Sequence, residues 1–441
     1  MDVLVGGLAN TLERAPFARG GEGTLYDFRW PGDRRAVKLY ASDGGAERRR
    51  ERAMYLVAHP PSRLRDTAGD AWELAWPERL VTHVDGRFAG VSMVRVRHAV
   101  RLSELTAHAH VLARRLGRRW LAYQLPTPLS LALRLQLAAR VSQLVRAVHA
   151  EGRYVLTDLK PDNLLVTETG RVTLVDCDSV QVTEQGALRF ASRVRTDDYT
   201  PPEGFDPAFV ARWEGGAPLQ TSWDGFSLSV IIYQLLLGIH PFAVRGRDTQ
   251  RGVAVDTVRD AIRAGLYAHG PRRMDMLLIP PPHGGVASLP AVVRAALERS
   301  LAVGHNDPAR RLSAQEWCDV LVPLTHRRRI WLGVRRRLAG DAARARDGAA
   351  FLWRGGTVAL SWLESCRSTL ARQFTRPLDI AKREVVAFLL GGSVVGLLLS
   401  FTVLASPRSV SVLEQTVTVP LYPPFPVELM TPPVAAPDAR W

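Results

Sequence analysis

Lysine is the rarest charged residue in this chain, and the positions of the lysines constrain the fold. Of 58 basic residues, 55 are arginine, and the three lysines are Lys38, Lys160 and Lys382. Lys160 stands in the stretch TDLKPDN, residues 157–163, which also holds one of only three asparagines. A lysine kept in so arginine-rich a chain indicates a site that needs a compact ammonium group rather than a planar guanidinium fork.

Length and composition indicate a globular protein with an appended segment. The 441 residues can hold one large domain or two ordinary ones, and a hydrophobic content of 46% is enough for buried cores. The three cysteines, Cys177, Cys318 and Cys366, are scattered and odd in number, so they imply no disulfide framework and suit a reducing cytoplasm. The N-terminal residues lack the pattern of a signal peptide.

The excess positive charge is local. Residues 327–384 hold 14 basic and 5 acidic residues, which argues for a basic segment beside a membrane and against a nucleic-acid-binding domain. The next 21 residues, 385–405, carry no charge, and as a helix they would span about 31 Å, the hydrocarbon thickness of a bilayer. A buried core helix is the alternative. Basic residues precede this run, so we expect the part of the chain before it to stay cytoplasmic and the proline-rich tail, 406–441, to lie outside the cell.

Hydrophobic periodicity predicts mixed strands and helices in residues 1–325. Runs rich in β-branched residues predict strands at 34–40, 88–96 and 171–182. Helical periodicity predicts helices at 129–152 and 222–238, and a Ser-x-x-Glu capping box predicts a third at 313–324.

The N-terminal region carries a glycine cluster followed by the first lysine. Gly20, Gly21 and Gly23 lie between strand-like stretches, where their amides can cover phosphates, although a plain turn is the alternative. Because no Gly-Lys pair occurs, a Walker-type P-loop is excluded. Lys38 would bridge phosphates and a carboxylate from the next helix. Glu47 and Glu51 share a helical face, and Glu51 is preferred.

The stretch around Lys160 predicts phosphoryl-transfer chemistry. Asp158 can accept a proton from an attacking hydroxyl, Lys160 can neutralise the moving phosphoryl group, and Asn163 can ligate Mg²⁺. Asp176 follows an apolar strand, where a carboxylate can bridge a metal. A lone Asp in a turn is normally only a turn former, but four suitable groups in order and at compatible spacing favour a site.

These motifs together resemble the eukaryotic-like protein kinases of bacteria over about residues 15–325. GGEGTLY resembles the glycine-rich loop, AVK the strand lysine, TDLKPDNLLV the catalytic loop, VDCD the metal-binding turn and YTPPE the end of the activation segment. The resemblance implies an α+β fold with two lobes, a β-rich N-lobe at 1–97 and a helical C-lobe at 98–325. The basic segment 326–384 and the transmembrane helix 385–405, which charge and hydropathy predict, follow these lobes.

The resemblance also implies a role for each matched residue. Asp158 is the expected catalytic base and Lys160 the phosphate-steadying lysine, while Asn163 and Asp176 are the expected Mg²⁺ ligands. The expected ATP-binding residues are Gly20, Gly21, Gly23, Leu25, Ala36, Lys38 and Glu51, the last two as an activating ion pair. Glu203 is expected to pair with Arg311, and Asp224 to anchor the catalytic loop.

The implied protein is a membrane-anchored serine/threonine kinase that uses ATP and Mg²⁺ on protein hydroxyls. A pseudokinase scaffold that binds nucleotide without transfer, and a small-molecule kinase, are the alternatives. The expected partners are a protein substrate and one membrane span, without nucleic acid. A cognate phosphatase, an envelope ligand and a dimer are compatible with this organisation.

Two departures from the family pattern affect the expectations. Leu156 and Thr157 stand where His-Arg is usual, which removes the charge that normally pairs with a phosphorylated activation loop. We therefore expect activity without that phosphorylation. Asp178 replaces a glycine in the metal turn, where it would either stiffen the turn or add an acidic group near the metal. Cys177 is interpreted as a packed residue rather than a redox-sensitive thiol.

Overall fold

Extended segments rich in β-branched residues build the N-terminal lobe. The structure is a computed structural model that describes residues 1–29, 35–41, 45–66, 71–106, 116–125 and 127–325. The strands of this region are β1 (Asp2–Val5), β2 (Leu8–Thr11), β3 (Ala18–Arg19), β4 (Gly23–Asp27), β5 (Arg35–Tyr40), β6 (Trp72–Leu74), β7 (Arg79–His83) and β8 (Phe88–Val94). All except β6 form one antiparallel sheet, in the order β2-β1-β7-β8-β5-β4-β3.

The sheet has apolar side chains in two core clusters. One cluster contains Val3, Val5, Leu12, Phe28, Val37, Val81 and Ala89. The second contains Ala53, Ala75, Val91 and Met93, and it joins the sheet to helix α1 (Ala46–Ala58), which supplies Ala53. Apolar residues stand at successive positions of β5 and β8, so both faces of the sheet carry buried apolar side chains, as a sheet covered on both sides requires.

Two glycines allow the strand that carries Lys38 to lie close to its neighbours. A Cβ atom on Gly90 would come within 1.9 Å of the carbonyl oxygen of Lys38, and one on Gly23 within 2.4 Å of the carbonyl oxygen of Leu39. No other residue fits such contacts without moving the backbone. These glycines therefore fix the position of β5 between β4 and β8.

The C-terminal lobe is mainly helical. Its helices are α2 (Leu102–Leu105), α3 (Pro128–His149), α4 (Pro207–Glu214), α5 (Thr221–Leu237), α6 (Val258–Ala264), α7 (Ala291–Glu298) and α8 (314–325). Thr127 and Ser130 cap the start of α3 reciprocally, and Gly238 ends α5 in the left-handed conformation. Helix α5 is buried along almost its whole length, as its uniformly apolar sequence indicates. Ser313 and Glu316 form the predicted capping box of α8.

Short strands in this lobe hold the loops that carry chemistry. They are β9 (Ala99–Arg101), β10 (Tyr154–Val155), β11 (Leu164–Thr167), β12 (Val172–Leu174), β13 (Gln181–Glu184) and β14 (Ala187–Phe190), with β15 (Arg245–Asp248), β16 (Val253–Val255) and β17 (Met276–Leu278) further on. One sheet has the order β6-β12-β11-β9, so β6 pairs with the second lobe. The predicted lobe boundary at residues 97 and 98 falls between β8 and β9.

The predicted strand 171–182 is two strands. It is β12 and β13, interrupted by a one-turn 3₁₀ helix at Cys177–Ser179. The interruption begins at Asp176, whose φ of 59° lies in the left-handed region, which few non-glycine residues adopt. The β-branched pattern on either side of the turn hid this break.

The predicted membrane helix lies outside the described residues, as do the basic segment and the tail. Among the helices that the structure describes, none combines the length and hydropathy needed to cross a membrane.

Candidate active site

The strand that carries Lys38 meets the turn that carries Asp176 and Asp178 at the junction of the lobes. Lys38, on β5, places its Nζ atom 3.1 Å from the Asp176 carboxylate and 2.9 Å from that of Asp178. Glu22, in the glycine turn between β3 and β4, lies 3.6 Å from the same nitrogen. The pair that joins Lys38 to Asp176 spans 138 residues of sequence, so the fold itself brings the strand and the turn together.

The acidic neighbours keep Lys38 protonated. Burial lowers its pKa, but the charges of Asp178, Asp176 and Glu22 outweigh that effect and raise the pKa above its ordinary value. Burial raises the pKa of Asp178, but the Lys38 charge and a hydrogen bond from Tyr40 lower it below its ordinary value. Burial and the neighbouring Asp178 charge raise the pKa of Tyr40. Lys38 is therefore an ammonium beside the ionised carboxylate of Asp178.

The catalytic loop places Asp158 in a closed hydrogen-bonded cluster. Lys160 Nζ donates to Asp158 at 2.6 Å and to the Thr196 hydroxyl at 2.9 Å. The Thr196 hydroxyl donates to the other Asp158 oxygen at 2.8 Å. Asn163 donates its side-chain amide to the backbone carbonyl of Asp158 at 3.0 Å. A carboxylate, an ammonium and an amide thus converge within one loop and one turn.

Asp224 holds the backbone of this loop. Its fully buried carboxylate accepts hydrogen bonds from the backbone amides of Leu156 at 2.7 Å and Thr157 at 3.0 Å, and from His149 Nε2 at 2.8 Å. Thr157 has a φ of 63°, which is strained for a β-branched residue. Its carbonyl also accepts from Trp223 Nε1 at 2.9 Å, so its backbone is fixed from two sides.

Glu203 and Arg311 form a bidentate ion pair with distances of 2.6 and 2.7 Å. Arg311 is 4% exposed, and it also donates to the backbone carbonyl of Gly304 at 2.7 Å. The ion pair joins the stretch YTPPE, which resembles the end of the activation segment, to the C-terminal part of the lobe.

The glycine turn and its neighbouring strands surround Lys38. The Gly20 amide donates to the Gly23 carbonyl at 2.9 Å, which closes the turn that contains Gly21. Leu25 lies directly opposite Lys38 in the pairing of β4 and β5. Ala36 is two residues before Lys38 on β5, so the three side chains share one face of the sheet.

The expected pair between Lys38 and Glu51 is not formed in this structure. Glu51 is exposed on α1, and Glu47 is exposed and pairs with Arg50 at 3.1 Å. The residues of α1 that line the cavity beside Lys38 are Arg49, Arg52 and Ala53, spaced at i, i+3 and i+4. Glu47 and Glu51 do share a face, but that face is the outer one.

A cavity of about 240 Å³ lies beside Lys38, between the glycine turn and α1. Its lining residues are Gly21, Glu22, Tyr40, Ala41, Arg49, Arg52, Ala53 and Asp178. A larger cavity of about 440 Å³, lined among others by Arg153, Glu184 and Leu219, contains none of the predicted site residues. Of these two cavities, the one beside Lys38 is the one that a predicted site residue, Gly21, lines.

The oxygen donors around the junction suit Mg²⁺ held jointly with a ligand. Asp176 is about half exposed, and Asn163 uses its amide nitrogen for the loop, which leaves the amide oxygen as its donor for a cation. In the described part of the chain, no group of three or more His, Cys, Asp or Glu is arranged to hold a metal alone. One carboxylate and one amide completed by phosphate oxygens fit the usual Mg²⁺ preference.

Sequence reasoning missed three groups at this site. Thr196, Tyr40 and the contact between Asp178 and Lys38 were not assigned roles there. Asp178, for which the sequence left open a stiffer turn or an acid near the metal, contacts Lys38. The signal available was an unusual acid at a position where the family has glycine. The partner of that acid is distant in sequence, so only the fold identifies it.

Comparison with known proteins agrees with this fold. The protein kinase domain family model matches residues 124–320. Protein kinase YegI of Escherichia coli O157:H7 is 25% identical over 307 residues, which are 69% of this chain and 43% of that protein. Rho-associated protein kinase let-502 of Caenorhabditis briggsae is 33% identical over 106 residues, 24% of this chain and 8% of that protein. The chain therefore spans less than half the length of these curated relatives.

Among solved structures, the ROP18 kinase domain in complex with AMP-PNP and sucrose is similar with a TM-score of 0.47 and 20% identity, covering 73% of this chain and 83% of the other. The family match and the β-rich and helical lobes support a eukaryotic-like protein kinase. The chain is also similar to protein kinase YegI of Escherichia coli K12, with 26% identity over 286 residues, 64% of this chain and 40% of that protein.

The buried ion pair between Glu203 and Arg311 generates a stability prediction. Replacing Glu203 by Ala leaves a buried guanidinium without its carboxylate, and we expect a loss of about 3 kcal/mol in the free energy of unfolding. Urea unfolding followed by circular dichroism measures the loss. The matched control is Glu47→Ala, which removes an exposed i,i+3 pair and should cost less than about 0.5 kcal/mol. Equal losses in the two variants would contradict the assigned structural role.

Proposed function

We propose that the protein is an ATP-dependent kinase that transfers the γ-phosphoryl group to serine or threonine hydroxyls of proteins. The observation that supports this most is the convergence of Asp158, Lys160 and Thr196 in one loop cluster, with Lys38 joined to Asp176 across the lobes. In phosphoryl transfer, Asp158 suits the role of base, Lys160 that of charge neutralisation, and Asp176 that of metal ligand.

Asp158 is the base of the proposed reaction. An acceptor hydroxyl that replaces Thr196 as the donor to Asp158 would lie in hydrogen-bond reach of the carboxylate and beside the Lys160 ammonium. The carboxylate takes the hydroxyl proton, and Lys160 stabilises the negative charge on the phosphoryl oxygens during transfer. The supporting contacts from Asn163 and Asp224 fix the loop that carries both groups.

ATP and Mg²⁺ are the proposed cofactors. Lys38 would bind phosphate oxygens, and the amides of the glycine turn would cover them. Asn163 and Asp176 would hold Mg²⁺, which neutralises charge on the phosphates when bound. The acceptor is assigned to Ser or Thr in proteins because the segment TDDYTPPE, residues 196–203, resembles the substrate-facing segment of protein kinases. Thr196 of that segment contacts the base directly.

We expect Asp158→Asn to reduce phosphotransfer roughly 100-fold or more while Mg-ATP still binds, because the amide cannot accept the proton. Transfer of labelled phosphate to a generic protein acceptor and nucleotide affinity by calorimetry measure the two effects. Asp162→Asn is the matched control, since Asp162 lies in the same loop but contacts Ser103. Nucleotide binding without any transfer by the unmodified protein would favour the pseudokinase alternative.

The hydrogen bonds of the hydroxyl groups in and around the activation segment support a kinase that is active without phosphorylation of that segment. Thr157, which stands at the usual arginine position, shares a 2.7 Å hydrogen bond with Ser192, and both hydroxyls are buried. Thr183 lies in β13 and donates to the Arg153 carbonyl. Thr196 belongs to the base cluster, so its replacement would damage catalysis for a reason unrelated to phosphorylation.

We therefore expect protein produced together with a phosphatase, and shown by intact mass to carry no phosphate, to transfer phosphate at its full rate from the first turnover. A lag that ends as autophosphorylation proceeds would refute this expectation. Phosphatase-treated protein carrying Asp158→Asn serves as the background control.

A membrane anchor is proposed for the C-terminal part of the chain from its sequence. Residues 385–405 carry no charge, and Arg367, Arg372, Arg376, Lys382 and Arg383 precede them, so the kinase domain would face the cytoplasm and the tail the outside. Both the location and the orientation are part of the proposal.

We expect the full chain, expressed in a bacterial host, to pellet with membranes and to resist extraction by alkaline carbonate. Deletion of 385–405 should release it, while deletion of 406–441 should not. External protease on spheroplasts should remove only an epitope placed in the tail. Carbonate extraction of the full chain would exclude the span.

A further inference from the structure

Lys38 is buried, so its ammonium needs a fixed anionic partner. The residue is 4% exposed, and both oxygens of Asp178 lie 2.9 Å from its Nζ atom. Asp178 is 5% exposed, and its carboxylate also accepts a 2.7 Å hydrogen bond from the Tyr40 hydroxyl. Tyr40 is on the same strand as Lys38, two residues further along. Lys38 and Tyr40 therefore both contact the Asp178 carboxylate from the same face of β5.

The other two acids near Lys38 are poorly placed to be its permanent partner. Asp176 is about half exposed and is the residue proposed to bind Mg²⁺, so its charge is shared with a cation. Glu22 is also about half exposed, lies farther away at 3.6 Å and belongs to the glycine turn that would cover the phosphates. Asp178 alone among the three is buried, and it needs no movement to stay in contact.

Helix α1 presents no carboxylate to Lys38. The residues of α1 that line the adjoining cavity include Arg49 and Arg52, which are cations. The Arg52 guanidinium donates to the Ala191 carbonyl and lies 5.8 Å from the centre of the Phe190 ring. Arg52 therefore contacts the end of β14. The α1 carboxylates, Glu47 and Glu51, are on the exposed face.

We propose that Asp178, held by Tyr40, is the positioning residue for Lys38 in this protein and replaces the α1 carboxylate in that role. Asp178 is carried by the same turn as Asp176. The phosphate-binding lysine is thereby fixed to the metal turn of the C-terminal lobe. Its position no longer depends on where helix α1 lies.

The decisive experiment compares Asp178→Asn with Glu51→Gln and Glu47→Gln in the full chain. Asp178→Asn keeps the shape and removes the charge. We expect it to weaken Mg-ATP binding about tenfold, since one charge-assisted contact no longer orients the ammonium toward the phosphates. Adenosine, which has no phosphates, should bind as tightly as before. Both glutamine variants should match the unmodified protein for both ligands.

The comparison of ligands separates positioning from general damage. A structural role alone would weaken adenosine and Mg-ATP binding together, and that result would overturn the proposal. So would loss of Mg-ATP binding in Glu51→Gln with Asp178→Asn unaffected. Tyr40→Phe provides a milder second variant: it keeps the carboxylate and removes one hydrogen bond, and it should weaken Mg-ATP binding less than Asp178→Asn, again without affecting adenosine.

This inference rests on the proposed kinase function, but calorimetric binding tests it separately. If the unmodified protein binds Mg-ATP and transfers no phosphate, the kinase proposal fails while the role of Asp178 in nucleotide binding still stands or falls on the measured affinities. If transfer is present, kcat/KM for ATP should also fall roughly 100-fold in Asp178→Asn, because the phosphates are misplaced.

Discussion

The contact between the buried Lys38 ammonium and the acids of the turn after β12 is the interaction on which the site depends. A buried ammonium costs several kcal/mol unless it is paired and hydrogen-bonded. Asp176 and Asp178, which lie 138 and 140 positions away in sequence, supply that pairing. The backbone geometry that permits the contact is equally specific, because glycines flank β5 and Asp176 adopts a left-handed conformation.

The catalytic loop is held by a separate set of contacts. Asp224 binds the backbone at two amides, and Trp223 binds the Thr157 carbonyl, so a strained β-branched residue stays in place. Both support residues belong to the buried helix α5. The loop that carries Asp158 and Lys160 is thus attached to a helix of the lobe's core.

The sequence predicted site residues that belong to a short motif better than residues whose role depends on which face of a helix points inward. Asp158 contacts Lys160 and Asn163 within one stretch, and the long-range partners Glu203 and Arg311 form an ion pair. Glu51 does not reach Lys38, because spacing shows which helix residues share a face but not which face points inward. The break at Asp176 and the role of Thr196 depend on contacts between segments that no local pattern records.

The two departures from the usual motif set act in the same direction. In protein kinases, the ion pair between the strand lysine and a glutamate of the following helix must be in place, and so must the metal-binding Asp. The position of that helix and activation-loop phosphorylation control both features. Here a carboxylate of the metal turn holds the lysine, and a neutral hydroxyl pair occupies the position of the arginine. A kinase site assembled by these contacts would have few internal points of control. Regulation of the proposed kinase would then act on access to substrate, and a membrane anchor is a direct way to set that access.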